Sequence, residues 1–220
     1  MKQIVNILLM ALLFFSVANA KEELDKQQII NKMIDSYGGE ENLLQLLKYK
    51  QTWNVEFMSS DNSGIDKREV IMPNYLRTEI IYPNKTEIRV LDKDSAVKIF
   101  SGKVTPIKGP MIKAVKLQLM RLYNPLVLKN KIKNINVSQN SKQYILELEN
   151  DGMKVEYIVS KKTMLIEKTI GRLQMGPQQL EFLTKYDEYK SVNGVMIPHK
   201  EIKFVGSLNT AVMTLDKNMF

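Results

Sequence analysis

Apolar residues along this chain follow two different periods, and the change from one to the other separates helical from extended regions. Between residues 22 and 36 the apolar residues recur at three- and four-residue spacing, and the pair Gly38-Gly39 follows them. This spacing predicts an amphipathic helix that ends at the glycines. Residues 40–47 (EENLLQLL) predict a second short helix, because two acidic residues stand at its positively charged amino end.

From Lys48 the period changes to two. Tyr49, Trp53, Val55 and Phe57 alternate with polar residues, which is typical of a half-buried strand. Turn residues separate further extended segments, and we predict strands at 66–72, 75–82, 86–91, 95–100, 131–137, 142–149, 153–159, 163–170, 179–189, 195–205 and 208–215. About eleven or twelve strands and few helices favour a mainly β fold with one large, highly curved antiparallel sheet.

One segment interrupts the strands. Residues 111–123 (MIKAVKLQLMRLY) are apolar around most of a helical circumference, and only a narrow polar edge remains. A helix of this kind is buried between layers or lies against an apolar partner. Asn124-Pro125 is expected to end it.

The first twenty residues have the composition of a cleavable secretory signal. Lys2 precedes an apolar run at residues 7–15, and Ala18 and Ala20 place small side chains before the expected cut. We expect cleavage after Ala20 and a single domain at 21–220 that works in the periplasm. The alternative, an uncleaved anchor, requires a longer apolar run to cross a hydrocarbon core of about 30 Å. The chain has 0 cysteines, so the lipid attachment site of a bacterial lipoprotein is missing and we expect a soluble protein.

Composition also excludes several kinds of site. Without cysteine there is no disulfide, thiolate nucleophile or Cys-ligated metal, and the single histidine, His199, cannot build a usual zinc site alone. The sequence contains no GxSxG nucleophile turn and no Gly-rich phosphate loop. The net charge is +8, but basic residues are scattered among acidic ones, and the aromatic residues alternate with mixed polar residues. We therefore expect no enzyme, no cofactor, no metal and no nucleic-acid partner.

Three features resemble one family. The first is an exported start, an amphipathic helix and the passage from Tyr37 to Phe57 (YGGEENLLQLLKYKQTWNVEF). The second is a string of short strands that a single apolar helix interrupts. The third is the passage from Tyr186 to Phe204 (YDEYKSVNGVMIPHKEIKF), in which an aromatic strand leads to a Val-Asn-Gly turn and an Ile-Pro strand start. Together they resemble the outer-membrane lipoprotein-sorting family of LolA-like and LolB-like half-barrels.

The resemblance implies an incomplete antiparallel β-barrel whose apolar concave face is covered by helices and holds acyl chains. It carries over no individual functional residue. We hypothesise a protein that binds lipid or lipoprotein acyl chains for transport or sorting to the outer membrane, as a monomer that meets envelope transport proteins. From periodicity alone, the candidate ligand-binding residues are Trp53, Val55, Phe57, Leu76, Ile80 and Tyr82 on the strands and Met111, Val115, Leu119 and Met120 on the helix, which is the candidate lid.

Two alternatives remain at this level. In one, the half-barrel has a packed core and serves as a non-catalytic interaction or sensor module of the envelope. In the other, His199 meets a serine and an acidic residue around a pocket and the protein is a hydrolase. A continuous apolar groove favours lipid binding, whereas a filled core favours the interaction module.

Overall fold

Thirteen antiparallel strands form one sheet in the computed structural model, which describes residues 24–58 and 62–220. The strands are β1 (Lys48–Phe57), β2 (Ser63–Ile71), β3 (Tyr75–Ile81), β4 (Thr86–Asp92), β5 (Ser95–Phe100), β6 (Lys103–Ile107), β7 (Ile135–Gln139), β8 (Gln143–Asn150), β9 (Met153–Ser160), β10 (Ile166–Met175), β11 (Gln178–Val192), β12 (Val195–Val205) and β13 (Leu208–Met219). Their order across the sheet is β6-β5-β4-β3-β2-β1-β13-β12-β11-β10-β9-β8-β7.

The two edge strands of this sheet, β6 and β7, are consecutive in the chain. All other consecutive strands pair with each other, and β1 also pairs with β13. Between β6 and β7 the chain forms two helices, α3 (Pro110–Met120) and α4 (Pro125–Asn130), and a 3-10 turn (Ile132–Asn134). The sheet is therefore an open half-barrel, which confirms the predicted fold class.

Two further helices precede the sheet. The first, α1 (Lys26–Ser36), begins where the Asp25 carboxylate accepts a hydrogen bond from the Gln28 amide at 2.8 Å. The Gln28 side chain accepts one from the Asp25 amide at 2.9 Å, which completes a capping box. This cap explains why α1 begins after residue 22, the predicted start. The predicted helix at 40–47 is divided into α2 (Glu40–Leu43) and a 3-10 turn (Leu44–Leu47).

The backbone conformation and close packing at position 38 require glycine. Its φ is +114°, and a Cβ there would lie 1.9 Å from the carbonyl oxygen of Gly194, in the turn between β11 and β12. The glycine pair that was predicted to end the first helix therefore also allows the chain to pack closely against this turn.

Two elements were missed by the sequence prediction. The edge strand β6 contains Pro106, which lacks an amide donor and for that reason is tolerated only at the edge of a sheet. Pro125 begins α4 instead of only ending the helix before it, because proline is favoured at the first helical position. The side chain of Asn124 caps α4 by accepting a hydrogen bond from the Leu126 amide at 2.9 Å.

The register defines an inner face, the one that packs against the helices. Across β1 to β5, a row of directly paired residues on this face is buried: Tyr49, Val70, Leu76, Leu91 and Ala96. This row joins the main hydrophobic core, together with the buried residues of α1 and α3. The core therefore lies between the helices and the sheet, and the position of α3 decides how much of the inner face stays open.

The predicted signal segment, residues 1–20, lies outside the described residues. Within the part of the chain that the structure describes, no helix is long and apolar enough to cross a membrane. The same residues contain no cluster of three or more histidine and acidic side chains that would suit a metal ion.

Candidate functional site

A groove of about 500 Å³ lies between α3 and the inner face of the sheet. We call it the α3 groove. From α3 it takes Met111, Ala114, Val115 and Gln118. Because these positions are spaced by three and four residues, they form one side of the helix. The strands and loops contribute Arg89, Lys98, Thr105, Pro106, Ile107, Lys108, Arg121, Phe182 and Lys203.

A second cavity of about 400 Å³ lies along the opposite side of α3. Leu119 and Met120 line it from the helix, and Leu91, Leu148 and Met153 line it from the sheet. Lys116 on α3 reaches Asp94 across this side, with 2.6 Å between Nζ and Oδ1. The helix therefore separates two apolar spaces on the inner face, and the α3 groove is the larger of them.

Hydroxyl groups from the sheet anchor the carboxyl end of α3. The Tyr186 hydroxyl donates to the carbonyl oxygen of Arg121 at 2.6 Å, and the Tyr157 hydroxyl donates to that of Met120. Thr169 also donates to the Arg121 carbonyl, at 3.3 Å. The last carbonyls of a helix have no partner within the helix, so these three donors satisfy groups that the fold would otherwise leave unpaired. No comparable side-chain cap is found at Gly109, where α3 begins.

Close packing under α3 depends on a glycine in β10. A Cβ on Gly171 would lie 2.4 Å from Cδ of Arg121 and 3.0 Å from Cγ of Leu117. Glycine is therefore required at this point of the inner face if the helix is to approach so closely. The buried side chain of Leu117 fills this contact.

A buried ionic cluster lies on the inner face beside the groove. The Arg68 guanidinium donates to both carboxylate oxygens of Glu201, at 3.0 and 2.9 Å, and its Nε donates to Asp66 at 2.8 Å. Lys203 lies 3.2 Å from Glu201, between Nζ and Oε2. Burial by itself would raise the pKa of Glu201, but the charges of Arg68 and Lys203 outweigh it and lower that pKa to about 2. Glu201 is therefore ionised at neutral pH and fully paired.

Arg121 follows the last residue of α3 and has no carboxylate partner among the residues that the structure describes. One terminal nitrogen of its guanidinium donates to Thr184 Oγ1 at 3.1 Å and to the Phe182 carbonyl at 3.3 Å. Its buried Nε has no partner among the described residues. Burial lowers the pKa of Arg121, since the charged form has lost much of its water.

The structure places the predicted site residues in separate regions. Met111 and Val115 line the α3 groove, whereas Leu119 and Met120 line the second cavity. Leu76 belongs to the main core and borders a small pocket beside the ionic cluster. The six predicted strand residues share the inner face, but none of them lines the α3 groove.

Trp53, Val55 and Phe57 form a small cluster of their own with Ala211 and Met213 of β13. Tyr82 stacks on Phe57 with 4.9 Å between the ring centroids, and Ile80 lies one step away on the same face. The Arg68 guanidinium covers Trp53, 5.0 Å from the centre of its ring. These residues continue the inner face beyond the ionic cluster, and their part in ligand binding remains a prediction.

The charged residues of the inner face were not among the predicted site residues. Arg68 lies between Lys67 and Glu69, and Glu201 follows Lys200, so each stands among charged residues of the kind that face solvent from a half-buried strand. A weak signal exists in β2, where Asp66, Arg68 and Val70 share one face. Two charged residues on the same strand face as a valine indicate an ion pair inside the protein. The sequence of β2 does not reveal that Arg68 also pairs with Glu201 of β12.

His199 does not form a catalytic group with Glu201. Its Nδ1 lies 3.1 Å from the carbonyl oxygen of Ile197 in the same strand, and Glu201 is engaged by Arg68 and Lys203. Among the described residues no serine makes a hydrogen bond to His199. The arrangement that would favour the hydrolase alternative is thus not observed around this histidine.

No sequence-family model and no curated protein matches the chain. Solved structures do. A LolA superfamily protein from Nitrosomonas europaea superposes with a TM-score of 0.57 at 12% identity, covering 90% of this chain and 94% of that one. An outer membrane lipoprotein-sorting protein domain from Vibrio parahaemolyticus gives 0.55 at 11% identity, with coverage of 87% and 90%. A DUF1329 family protein from Desulfovibrio piger gives 0.52 at 8% identity, with coverage of 88% and 92%.

These likenesses extend over nearly the whole of each chain, and they confirm at the level of the fold the resemblance drawn from the sequence. The protein has the half-barrel fold of LolA superfamily and lipoprotein-sorting domain structures. At these identities the likeness concerns the fold, and functional residues must be argued from the inner face itself.

Proposed function

We propose that the protein is a non-enzymatic carrier that binds the acyl chains of a lipid or lipoprotein on the inner face of its half-barrel. In this proposal the signal segment is removed after Ala20, the remaining chain is soluble in the periplasm, and the cargo is moved or sorted towards the outer membrane. No bond is made or broken. The two lipoprotein-sorting-like structures described above support this proposal through their shared fold.

The observation that carries the proposal is the volume of the α3 groove. Its 500 Å³ lies within the range of about 300–1,000 Å³ that is typical of small-molecule sites. A half-barrel that serves only as a scaffold would fill this space with its own side chains. The space is instead bordered by the apolar side chains of Ile107, Met111, Ala114, Val115 and Phe182, which an acyl chain can contact.

Apolar burial supplies the affinity. Each methylene that leaves water for such a groove contributes about 0.8 kcal/mol, so an acyl chain of ten carbons gains several kcal/mol against the cost of immobilising it. Methionine suits this task because its flexible, polarisable side chain adapts to the shape of the ligand. Met111 stands at the entrance, 52% exposed, and Met120 lies in the second cavity.

The anchoring of α3 supports its role as the lid. Its carboxyl end is held by Tyr157, Thr169 and Tyr186, whereas Gly109 at its amino end has φ of +59° and no side-chain cap. In the proposed cycle, α3 pivots about the anchored end, and its amino end with Met111 moves away from β6 to admit an acyl chain.

Bound lipid is the direct test. Protein purified without detergent is extracted with organic solvent and analysed by mass spectrometry, and we expect acyl lipids at close to one molecule per protein. The delipidated protein is then titrated with alkyl ligands by calorimetry. If no lipid is extracted and no alkyl ligand binds, the acyl carrier is ruled out and the packed interaction module becomes the better proposal.

A groove-filling variant locates the site. In Ala114→Trp the indole occupies the α3 groove, and we expect the affinity for alkyl ligands to fall at least tenfold. The matched control is Val104→Trp on the edge strand β6, where Val104 is 59% exposed and lies on the outer face. Equal affinities in both variants would contradict binding in the α3 groove.

A further inference from the structure

The lining of the α3 groove is strongly asymmetric in charge. Five cationic side chains border it, namely Arg89, Lys98, Lys108, Arg121 and Lys203, and no carboxylate does so among the described residues. Lipid-binding sites for neutral chains need no such groups, since each charge that is shielded from water costs free energy unless it is paired. The cations therefore call for an explanation beyond the apolar binding of a chain.

Three of the five cations have acidic partners that do not line the groove. Arg89 and Lys98 lie 2.6 and 2.8 Å from the two oxygens of Glu87. Lys203 lies 3.2 Å from Glu201, but Glu201 already binds Arg68 through both oxygens. Glu87 thus serves two cations, which leaves positive charge in excess around it. Beside Glu201, Asp66 also pairs with Arg68, so the charges of that cluster balance.

The remaining two cations have no acidic partner within the described residues. Lys108 follows β6 at the mouth of the groove and makes no ion pair there. Arg121 donates to Thr184 and to a carbonyl only, and its Nε has no acceptor although it is buried. A guanidinium with free donors is suited to a carboxylate, since its planar fork can hold both oxygens.

The electrostatics of these groups favour the binding of an anionic ligand. Burial lowers the pKa of both Arg121 and Lys203, and repulsion from Arg68 lowers the pKa of each further. Glu201 acts in the opposite direction on both but does not cancel the effect. An anion placed between these two side chains would restore the favourable environment that their charged forms lack.

We propose that the α3 groove binds a single-chain, fatty-acid-like amphiphile, whose carboxylate pairs with Arg121 and Lys203 and whose chain lies along Val115, Met111 and Phe182. This assignment rests on the proposed acyl-binding function and adds the class of headgroup. The carboxylate takes the donors that Arg121 leaves unused. Both residues border the groove and also the small pocket next to the ionic cluster, which places the headgroup at the inner end and the chain towards the exposed Met111.

Three ligands of equal chain length separate the contributions of head and chain. The delipidated protein is titrated by calorimetry, below their aggregation concentrations, with decanoate, decanol and decyltrimethylammonium. We expect decanoate to bind about tenfold more tightly than decanol, equivalent to about 1.4 kcal/mol, and the cationic ligand to bind most weakly. Binding of all three with equal affinity overturns the carboxylate assignment and leaves the acyl-binding function standing. If none of them binds, the proposed function itself fails.

A charge variant tests the assignment at the level of the residue. Arg121→Met keeps most of the side-chain length, and we expect decanoate to lose its tenfold advantage while the affinity for decanol is unchanged. The control Arg77→Met removes the same charge from the outer face, where Arg77 pairs with Glu79, and is expected to leave both affinities unchanged. An equal loss in both variants would indicate a general effect of net charge and overturn the proposal. Should Arg121→Met fail to fold, the order of the three ligands on the unmodified protein still decides the question.

Discussion

Arg68 of β2 and Glu201 of β12 form a two-pronged ion pair on the inner face, with N–O distances of 3.0 and 2.9 Å. Their side chains are 2% and 1% exposed, and 133 residues separate them in the chain. Two strands, β1 and β13, lie between them in the sheet. The pair therefore joins the first strands of the chain to the last across the middle of the half-barrel.

Glu201→Gln is expected to lower the free energy of unfolding by about 3 kcal/mol. The substitution keeps the shape of the side chain but removes the charge that the buried Arg68 and the partly exposed Lys203 share. Breaking a buried pair from one side is costly. Urea denaturation followed by circular dichroism measures the change. The control Glu79→Gln breaks a partly exposed pair with Arg77 on the outer face, and it should cost less than about 1 kcal/mol. Similar losses in both variants would contradict a special role for the inner pair.

The same pair predicts how stability depends on pH. In the folded protein the pKa of Glu201 is about 2, against an ordinary value of 4.5. As the pH falls below 4.5 the unfolded chain takes up a proton at this position before the folded protein does, so acid favours unfolding. The contribution of Glu201 is complete above pH 4.5 and disappears progressively towards pH 2.

Urea midpoints measured between pH 6 and pH 2 check this dependence. We expect the unmodified protein to lose stability over the lower half of this range and Glu201→Gln to lose less over the same interval, because its amide does not titrate. Parallel curves for the two proteins would show that other carboxylates cause the acid sensitivity.

Much of the fold follows from local patterns, and the ionic cluster does not. Alternation in β1 predicts that Trp53 and Val55 share a face, which is observed. The apolar character of residues 111–123 predicts a helix that is buried between layers or lies against an apolar partner, and a helix is observed over Pro110–Met120. The meeting of Arg68 with Glu201 depends on the register of four strands, which local periodicity does not contain.

Only part of the lining of the α3 groove was predicted, because the other lining residues come from elements that are distant in the sequence. Met111 and Val115 were identified because helical periodicity places them on one side of α3. Pro106 and Ile107 were missed because proline in a short segment speaks against a strand unless the strand is known to be an edge. Phe182 reaches the groove from β11, which is separated from β6 by seven strands of the sheet, so only the curvature of the sheet brings it there.

Gly171→Val is expected to displace α3 and to destabilise the protein by about 1–3 kcal/mol. The new side chain would collide with Arg121 and Leu117, and overpacking of a tight contact costs free energy of this order. Denaturation of Gly171→Val, Arg121→Ala and the double variant forms a cycle. We expect the double variant to be more stable than the sum of the single changes predicts, since the shortened Arg121 makes room. Strict additivity would contradict the contact.

Tyr186→Phe tests whether α3 is held at its carboxyl end. The variant keeps the ring, which packs edge-on against Tyr123, but removes the hydroxyl that donates to the Arg121 carbonyl. Loss of one buried hydrogen bond lowers the free energy of unfolding by about 1 kcal/mol. Because the hydroxyl acts on the last turn of α3, hydrogen exchange should become faster at the amides near Arg121 and remain unchanged in β3. The control Tyr75→Phe, on half-buried Tyr75 of β3, is expected to leave exchange in α3 unaltered. If exchange near Arg121 is the same in Tyr186→Phe as in the unmodified protein, the anchoring of α3 does not depend on this hydroxyl.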